Sequence, residues 1–446
     1  MKLPFLNKIS ISTNKLFLWL IVLLIFITRL VIVLKAGVYD TASLQAGDSA
    51  GYNSFANEII SGLNWFFIRN GFPGDHREPG YPFFLALIYF LFGSNNLIAV
   101  YIFQAALSAL TAMLIYKLSL IIFKNQRAAF AALVWAGLYF VYFRYSGELL
   151  RETLIFFLMV FLFYLFTKFS INTKLDIKNL LILAFVYTYI IHTDGRYIFY
   201  GPFLYLIFYK AIPGFINGVG KFLIFSAFVL LLTIPWTIRN YVAYGDVILI
   251  SKLTLNLTGS TTNPRGEHFD FRTIDSLYTT PAFDHNTNYP TESERQQILN
   301  GENPKNRSIG ELNLIRNHVY PTKTYLSRKW FFIKRMWTPV EMRPQYYPYP
   351  WAVYLDTWSV KHNILSFLSY GLLLPFMLFG LYFGFRKKIP MLYLLILPVV
   401  VHFVLHAITF GLERYRHPID AFIIILGTYG IIVLVEISGL LRKQIK

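Results

Sequence analysis

Long apolar runs separated by short polar turns organise the chain. The first extends from Leu16 to Leu34, behind Lys2, Lys8 and Lys15. At about 1.5 Å per residue it covers about 28 Å, close to the thickness of a hydrocarbon core. No small-residue cleavage site follows, so a retained span is expected rather than a signal peptide. Further runs occupy Leu97–Phe123, Ala128–Phe143, Leu149–Phe169, Asn179–Ile191, Tyr197–Tyr209, Phe222–Trp236, His362–Phe385, Met391–Phe410 and Pro418–Leu441. With the first they make about ten spans, and the short segments near Asn179–Ile191 and Tyr197–Tyr209 leave the count open by one or two. Tyr81–Phe92 is too short to cross and reads as a re-entrant or surface helix.

This pattern predicts an all-α polytopic membrane protein in three parts. A membrane module covers 1–238 with a polar first outer loop at 35–80, a long polar region covers 239–361, and further membrane helices cover 362–446. The polar region is rich in Asn, Thr, Pro and charge without a period, and loops of such length are usually functional or partly disordered. Its last third, Met336–Trp358, is dense in Trp, Tyr and Pro, which suits a segment lying along a membrane surface. No internal repeat is evident, which disfavours inverted-repeat transporters.

Composition sharpens the class. Of 446 residues, 56% are hydrophobic and 14% charged, with mean hydropathy +0.49, whereas soluble domains average roughly 45–50% apolar and about 25% charged. A soluble enzyme, a disordered tail protein and a disulfide scaffold are thereby excluded. Cysteine is absent, which removes disulfides, thiolate metal sites and cysteine nucleophiles. The net charge of +18 is not a nucleic-acid signature, because much of it sits in short loops beside apolar runs.

Charge also sets the orientation. With a cytoplasmic N-terminus, the inner loops hold Lys124 and Arg127, then Lys168, Lys174 and Lys178, then Lys210 and Lys221. Arg386, Lys387 and Lys388 follow, and Arg442, Lys443 and Lys446 close the series. Every inner loop is then basic, as the positive-inside rule requires. Both termini are expected in the cytoplasm of a multi-pass cell (inner or plasma) membrane protein. The unusual polar residues at helix ends all fall on the extracytoplasmic face, where the work of such a protein is expected.

In the first outer loop Asp48, Tyr52 and Ala56 share a helical face at i, i+4, i+8. Spacing alone favours Asp48 as a helix cap. Asp75-His76-Arg77-Glu78-Pro79-Gly80-Tyr81-Pro82 crowds ionisable groups at a rigid entrance to the short apolar run. A solvated helix start and a site are about equally good readings of it. Glu148 and Glu152 share a face and would repel unless a cation or Arg151 lies between them. His192, Asp194 and Arg196 crowd a short turn. Arg239 ends a span where snorkelling to lipid headgroups is the ordinary explanation. Arg414 and Arg416 fall in one outer turn with His417, and paired guanidiniums suit phosphate or pyrophosphate. His402 and His406 stand at a spacing that could hold a metal, although single histidines in bundles more often bond a neighbouring carbonyl. No phosphate loop, GxGxxG or HExxH occurs, so an activated donor is expected to be lipid-borne.

Asp48 with Tyr52 and Ala56, Arg77-Glu78-Pro79-Gly80-Tyr81-Pro82, Pro235-Trp236-Thr237-Ile238-Arg239-Asn240-Tyr241 and Arg414-Tyr415-Arg416-His417-Pro418 follow one another along nearly the whole chain. In this order they resemble the GT-C membrane glycosyltransferases, specifically the family 39 protein mannosyltransferase-like group and its lipid A aminoarabinose transferase relatives. The resemblance implies a GT-C fold and a polyprenyl-phosphate-linked sugar donor. It implies transfer to a lipid, glycan or protein acceptor with inversion at the anomeric carbon. It makes Asp48 the catalytic base and Glu78 a second catalytic acidic residue. Tyr52 and Glu152 become substrate-binding, and Arg196, Arg239, Arg414 and Arg416 hold the carrier phosphate. Relatives often carry a lysine and paired prolines after the acidic residue. Here Pro79-Gly80 follows Glu78, and Arg77 takes the place of that cation. A divalent metal, bound in some relatives, would fall to Glu78 with His406 or His417. Two rival functions stand beside this one: a lipid-linked glycan polymerase or ligase, and a lipid or glycan transporter, for which Arg29 and the span histidines are the main intramembrane candidates.

A reporter protein that is active only in the cytoplasm, fused after Lys446, is expected to be active, and one fused in the 411–417 turn inactive. The reverse pattern would overturn the orientation.

Overall fold

A computed structural model describes residues 15–35, 47–62, 68–69, 72–73, 78–171, 175–211, 214–244, 330, 333–334, 336–339, 360–408 and 413–444. The helices are α1 (Lys15–Lys35), α2 (Gly47–Ile60), α3 (Gly80–Phe92), α4 (Leu97–Phe123), α5 (Gln126–Leu138), α6 (Phe140–Ser146), α7 (Glu152–Ile171) and α8 (Ile177–Thr193). They continue as α9 (Gly201–Ala211), α10 (Phe215–Tyr244), α11 (Val360–Ser366), α12 (Leu373–Arg386), α13 (Tyr393–Ile408), α14 (Glu413–Arg416) and α15 (Asp420–Gln444). The described strands are one two-residue antiparallel pair, Ile68–Arg69 with Phe72–Pro73. The predicted all-α class holds. Most of the polar region 239–361, including nearly all of Met336–Trp358, lies outside the described residues.

Six described helices are long and apolar enough to cross a membrane, or seven if α5 and α6, bent by 47° at their junction, form one broken span. The predicted count of about ten is therefore not reached by length. Asn179–Ile191 lies in a helix of 17 residues, and Met391–Phe410 contains one of 16. Tyr197–Tyr209 divides between the 3-10 turn Gly195–Tyr200 and the 11-residue α9. An ideal helix needs about 20 residues to cross about 30 Å. The predicted surface or re-entrant helix is the 13-residue α3.

The core is a bundle in which α4 packs against α1, α5 and α7, and α15 packs against α5 and α12. Small residues permit the tightest approaches, the usual device where lipid supplies no hydrophobic drive between helices. Gly380 of α12 and Gly430 of α15 each face the other helix's backbone, at Leu426 and Phe376, so closely that a Cβ on either would overlap it. Phe123 and Tyr429 stack across α4 and α15 at 3.8 Å.

The α5–α6 bend has its own staple. Arg29 of α1 is fully buried and its Nη2 donates to the Ala136 carbonyl at 2.8 Å. That carbonyl lies in the last turn of α5 and also accepts from the Tyr139 N–H at 3.4 Å, so the guanidinium adds a second donor where the regular ladder stops. The same guanidinium lies 5.1 Å from the Phe143 ring on α6. A cation at the negative end of α5 also complements its dipole.

Gly430→Ala is expected to destabilise the protein by about 1–3 kcal/mol, the usual cost of overpacking. Gly439→Ala, where an added Cβ meets nothing within 4 Å, should be neutral or stabilising by about 1 kcal/mol through helix propensity. Thermal unfolding in detergent compares them, and equal midpoints would sink the close-packing account.

Candidate functional site

Charged side chains from the ends of five segments meet in one cluster. Asp48 stands in the first turn of α2, where an acidic residue complements the helix dipole. Its Oδ2 accepts from Arg414 Nη2 at 2.9 Å, across 366 positions of sequence. Glu152, in the first turn of α7, places Oε1 3.3 Å from Nε of the same arginine. One guanidinium thus bridges the two carboxylates.

A second group lies deeper. Arg151, just before α7, sets Nη1 3.4 Å from Glu78 Oε2 and donates to the Thr193 carbonyl at 3.2 Å. Its Nη2 is 3.1 Å from Asp194 Oδ2. Asp194 caps the 3-10 turn after α8 and receives Arg196 through Nε at 2.9 Å and Nη2 at 2.5 Å, a fork-to-fork pair. Arg196 lies 3.9 Å over the Tyr415 ring, and Arg414 lies 5.3 Å from the same ring. Tyr415 therefore joins the two groups.

Glu78 is held there by the glycine two residues on. A Cβ on Gly80 would lie 2.7 Å from the Thr193 backbone nitrogen and 2.8 Å from the His192 carbonyl carbon. The start of α3 therefore rests directly on the end of α8, and Tyr189 of α8 donates to the Gly80 carbonyl at 3.0 Å. This contact accounts for glycine at position 80.

Burial separates the groups. The side chains of Glu78, Arg151, Asp194 and Arg196 are 3–9% exposed, whereas Asp48 and Arg414 are 28% and 29% exposed. Burial alone would push the Asp194 carboxyl up, but the Arg151 and Arg196 guanidiniums outweigh it and hold it well below the usual carboxylate range. Burial would likewise favour loss of the Arg151 and Arg196 protons, and Asp194 reverses that for both. The deep group is a fixed electrostatic frame, and the Asp48–Arg414 pair is its open edge.

The other predicted residues take different places. Tyr52, one turn beyond Asp48, is buried and packs edge-on against Tyr81 at 5.0 Å. Arg239 does not snorkel: it is fully buried, lies 4.9 Å from the Trp236 ring, and donates to Asn240 Oδ1 at 3.1 Å. Arg414 and Arg416 do not converge on one ligand. Arg416 turns inward to Asp420 Oδ1 at 3.0 Å, to the Met336 and Thr338 carbonyls, and to the face of Tyr370. The expected repulsion of Glu148 and Glu152 is relieved by separate arginines, Glu148 pairing with Arg144 at 2.9 Å. Arg77, with Asp75 and His76, lies outside the described residues.

The residues of the metal reading have these neighbours. His417 Nδ1 is 3.0 Å from Asp420 Oδ2, His406 stacks on Tyr415 at 5.5 Å, and Glu78 faces Arg151. Among the described residues no group of three His, Asp or Glu side chains could hold a metal ion. His402 has ordinary partners in the Tyr415 carbonyl and Tyr200 hydroxyl. Spacing and resemblance did not single out Arg151, Asp194 or Tyr415 as site residues. Their only signal was the crowding of charge in turns between apolar runs.

Residues 75–238 match the family described as dolichyl-phosphate-mannose-protein mannosyltransferase. That stretch includes Glu78, Arg151, Glu152, Asp194 and Arg196. No curated protein matches the chain. Among solved structures it is similar to the Archaeoglobus fulgidus oligosaccharyltransferase AglB in complex with an inhibitory peptide and a dolichol-phosphate. Identity is 12% and the TM-score 0.52, over 95% of this chain and 51% of that one. The apo form of the Archaeoglobus fulgidus oligosaccharyltransferase gives 14% and 0.52 over the same shares. Its complex with Zn and sulfate gives 13% and 0.52, over 93% of this chain and 50% of that one. The chain spans about half the length of these proteins. The likeness is one of fold, and the fold is the GT-C type that the resemblance implied.

Asp194→Asn would leave two buried guanidiniums sharing a neutral amide, and a loss of about 3–5 kcal/mol is expected. Because its native pKa is depressed, the stability Asp194 contributes is present above the unfolded value of about 3.9 and lost only as pH falls through the native value. Thermal midpoints attributable to this pair should therefore be flat from pH 7 to pH 5. A wild-type-minus-mutant difference that shrinks across that window would contradict the assignment.

Proposed function

We propose that the protein is an inverting glycosyltransferase. It moves a sugar from a polyprenyl-phosphate donor to an acceptor hydroxyl of a lipid, glycan or protein, on the extracytoplasmic face of the membrane. The GT-C fold and the match over 75–238 support glycosyl transfer. The observation that carries the reading is Arg414 bridging Asp48 and Glu152 at the open edge of an otherwise buried charge cluster.

The proposed chemistry uses those positions. Asp48 takes the proton of the acceptor hydroxyl as its oxygen attacks the anomeric carbon. The bond from that carbon to the phosphate oxygen breaks, and the carrier departs as a monophosphate. Negative charge grows on the departing phosphate, and a guanidinium fork at Arg414 suits it. Arg196 and Arg239 add positive potential around it, and Arg77 is the cation next to Glu78 in sequence. Glu78 keeps Arg151 in place and so supports the frame on which the base and Glu152 sit. Backside attack on the anomeric carbon inverts its configuration. Glu152, with one oxygen on Arg414, accepts a hydrogen bond from a sugar hydroxyl in this reading.

The test is sugar release from labelled polyprenyl-phosphate sugars by the purified protein in nanodiscs, beside Asp48→Asn. Turnover is expected in the wild type and a fall of at least about 100-fold in the mutant, the usual scale for a general base. Unchanged turnover in the mutant would remove Asp48 and favour a polymerase or ligase. Absence of turnover with every donor would point to a transporter.

A further inference from the structure

The three arginines Arg151, Arg196 and Arg414 are not equally free to change partners. Arg151 and Arg196 are nearly buried, and both are committed to Asp194. Breaking either pair would strand a charge away from water, at a cost of several kcal/mol. Arg414 differs. It and Asp48 are both more than a quarter exposed, so water can reach this pair as it opens. Its Nη2 is held by the very carboxylate proposed to act as the base. Its Nε faces a second carboxylate, Glu152, at 3.3 Å. Its ring neighbour Tyr415 is held by Arg196 at 3.9 Å, so the Arg414 guanidinium moves beside an anchored ring.

We infer that Arg414 couples donor binding to release of the base: the donor's phosphate and the Asp48 carboxylate compete for the same N–H donors. This rests on the glycosyltransferase reading above. When Arg414 turns to the phosphate, Asp48 loses this ion pair. A carboxylate without that cation holds a proton better, because the partner that favoured its charged form has gone. The base is thus strengthened only when a donor is in place. Acceptor hydroxyls reaching the site without a donor meet a carboxylate engaged by Arg414. Donor binding accordingly precedes productive acceptor binding.

The probe is polyprenyl monophosphate, titrated into the protein in nanodiscs of neutral lipid. A double-mutant cycle over Asp48→Asn and Arg414→Gln separates competition from simple repulsion. Competition predicts that Asp48→Asn tightens binding about two- to fivefold, or about 0.4–1 kcal/mol at 1.4 kcal/mol per tenfold. It also predicts that this gain disappears in the Arg414→Gln background. A gain that persists there would show that Asp48 repels phosphate through space, and would overturn the coupling. An Asp48→Asn affinity equal to or weaker than wild type, with Arg414→Gln still weakening binding, would overturn the coupling while leaving Arg414 as the phosphate ligand. Wild-type binding that ignores Arg414 altogether would remove its phosphate role in the proposed function as well. Thermal melting establishes that each variant is folded. If Arg414→Gln is not, Arg414→Lys serves, since lysine keeps the charge and loses the fork. The Asp48→Asn gain should then be smaller than in the wild type, and an undiminished gain counts against the coupling.

Discussion

One carboxylate, Asp194, lies between two buried guanidiniums, and the geometry of the site depends on it. Arg151 reaches it from the start of α7 and Arg196 from the turn after α8. Through Arg151 the same charge fixes Glu78, and through Arg196 it fixes the Tyr415 ring. Where water is scarce, each charge must find a partner of opposite sign or not be there at all. The pairing therefore draws together the starts and ends of helices far apart in sequence.

That constraint explains the neighbouring backbone. Gly80 lets α3 rest on the end of α8, which brings Glu78 within reach of Arg151. Arg29 ties α1 to the last turn of α5 at the α5–α6 bend, and α6 leads into the turn carrying Glu148 and Arg151 before α7. An arginine in a first span reads on its own as a transport residue. Its partner is instead a helix end, so its role in this fold is to hold a bend. Arg416 does comparable work on the far side: it ties the Met336 and Thr338 carbonyls to Asp420 of α15.

The site has a stiff floor and a loose rim. Buried fork-to-fork pairs resist rearrangement because breaking them strands a charge. The part-exposed Asp48–Arg414 pair lacks that penalty, since water can take over either partner. Such a division fits the proposed exchange of one cation on a fixed frame.

Apolar run length by itself determined that this chain is a helical membrane protein, because hydrocarbon thickness and the rise of a helix leave little choice. The ordered motifs pointed to the GT-C fold and to Asp48, Glu78, Glu152 and Arg414, all of which the structure brings into one cluster. Run length left the number of spans open, because α8 and α13 are shorter than a lone crossing helix and a 3-10 turn precedes α9. Spacing could not separate Arg414 from Arg416, which stand two residues apart and face opposite ways, nor show that Arg239 is buried rather than reaching for headgroups. It likewise passed over Asp194, whose importance lies in partners contributed by other turns. Which residues are apolar is a local property and is written along the chain; which charges meet depends on helices packing across hundreds of positions, and only the tertiary structure decides that.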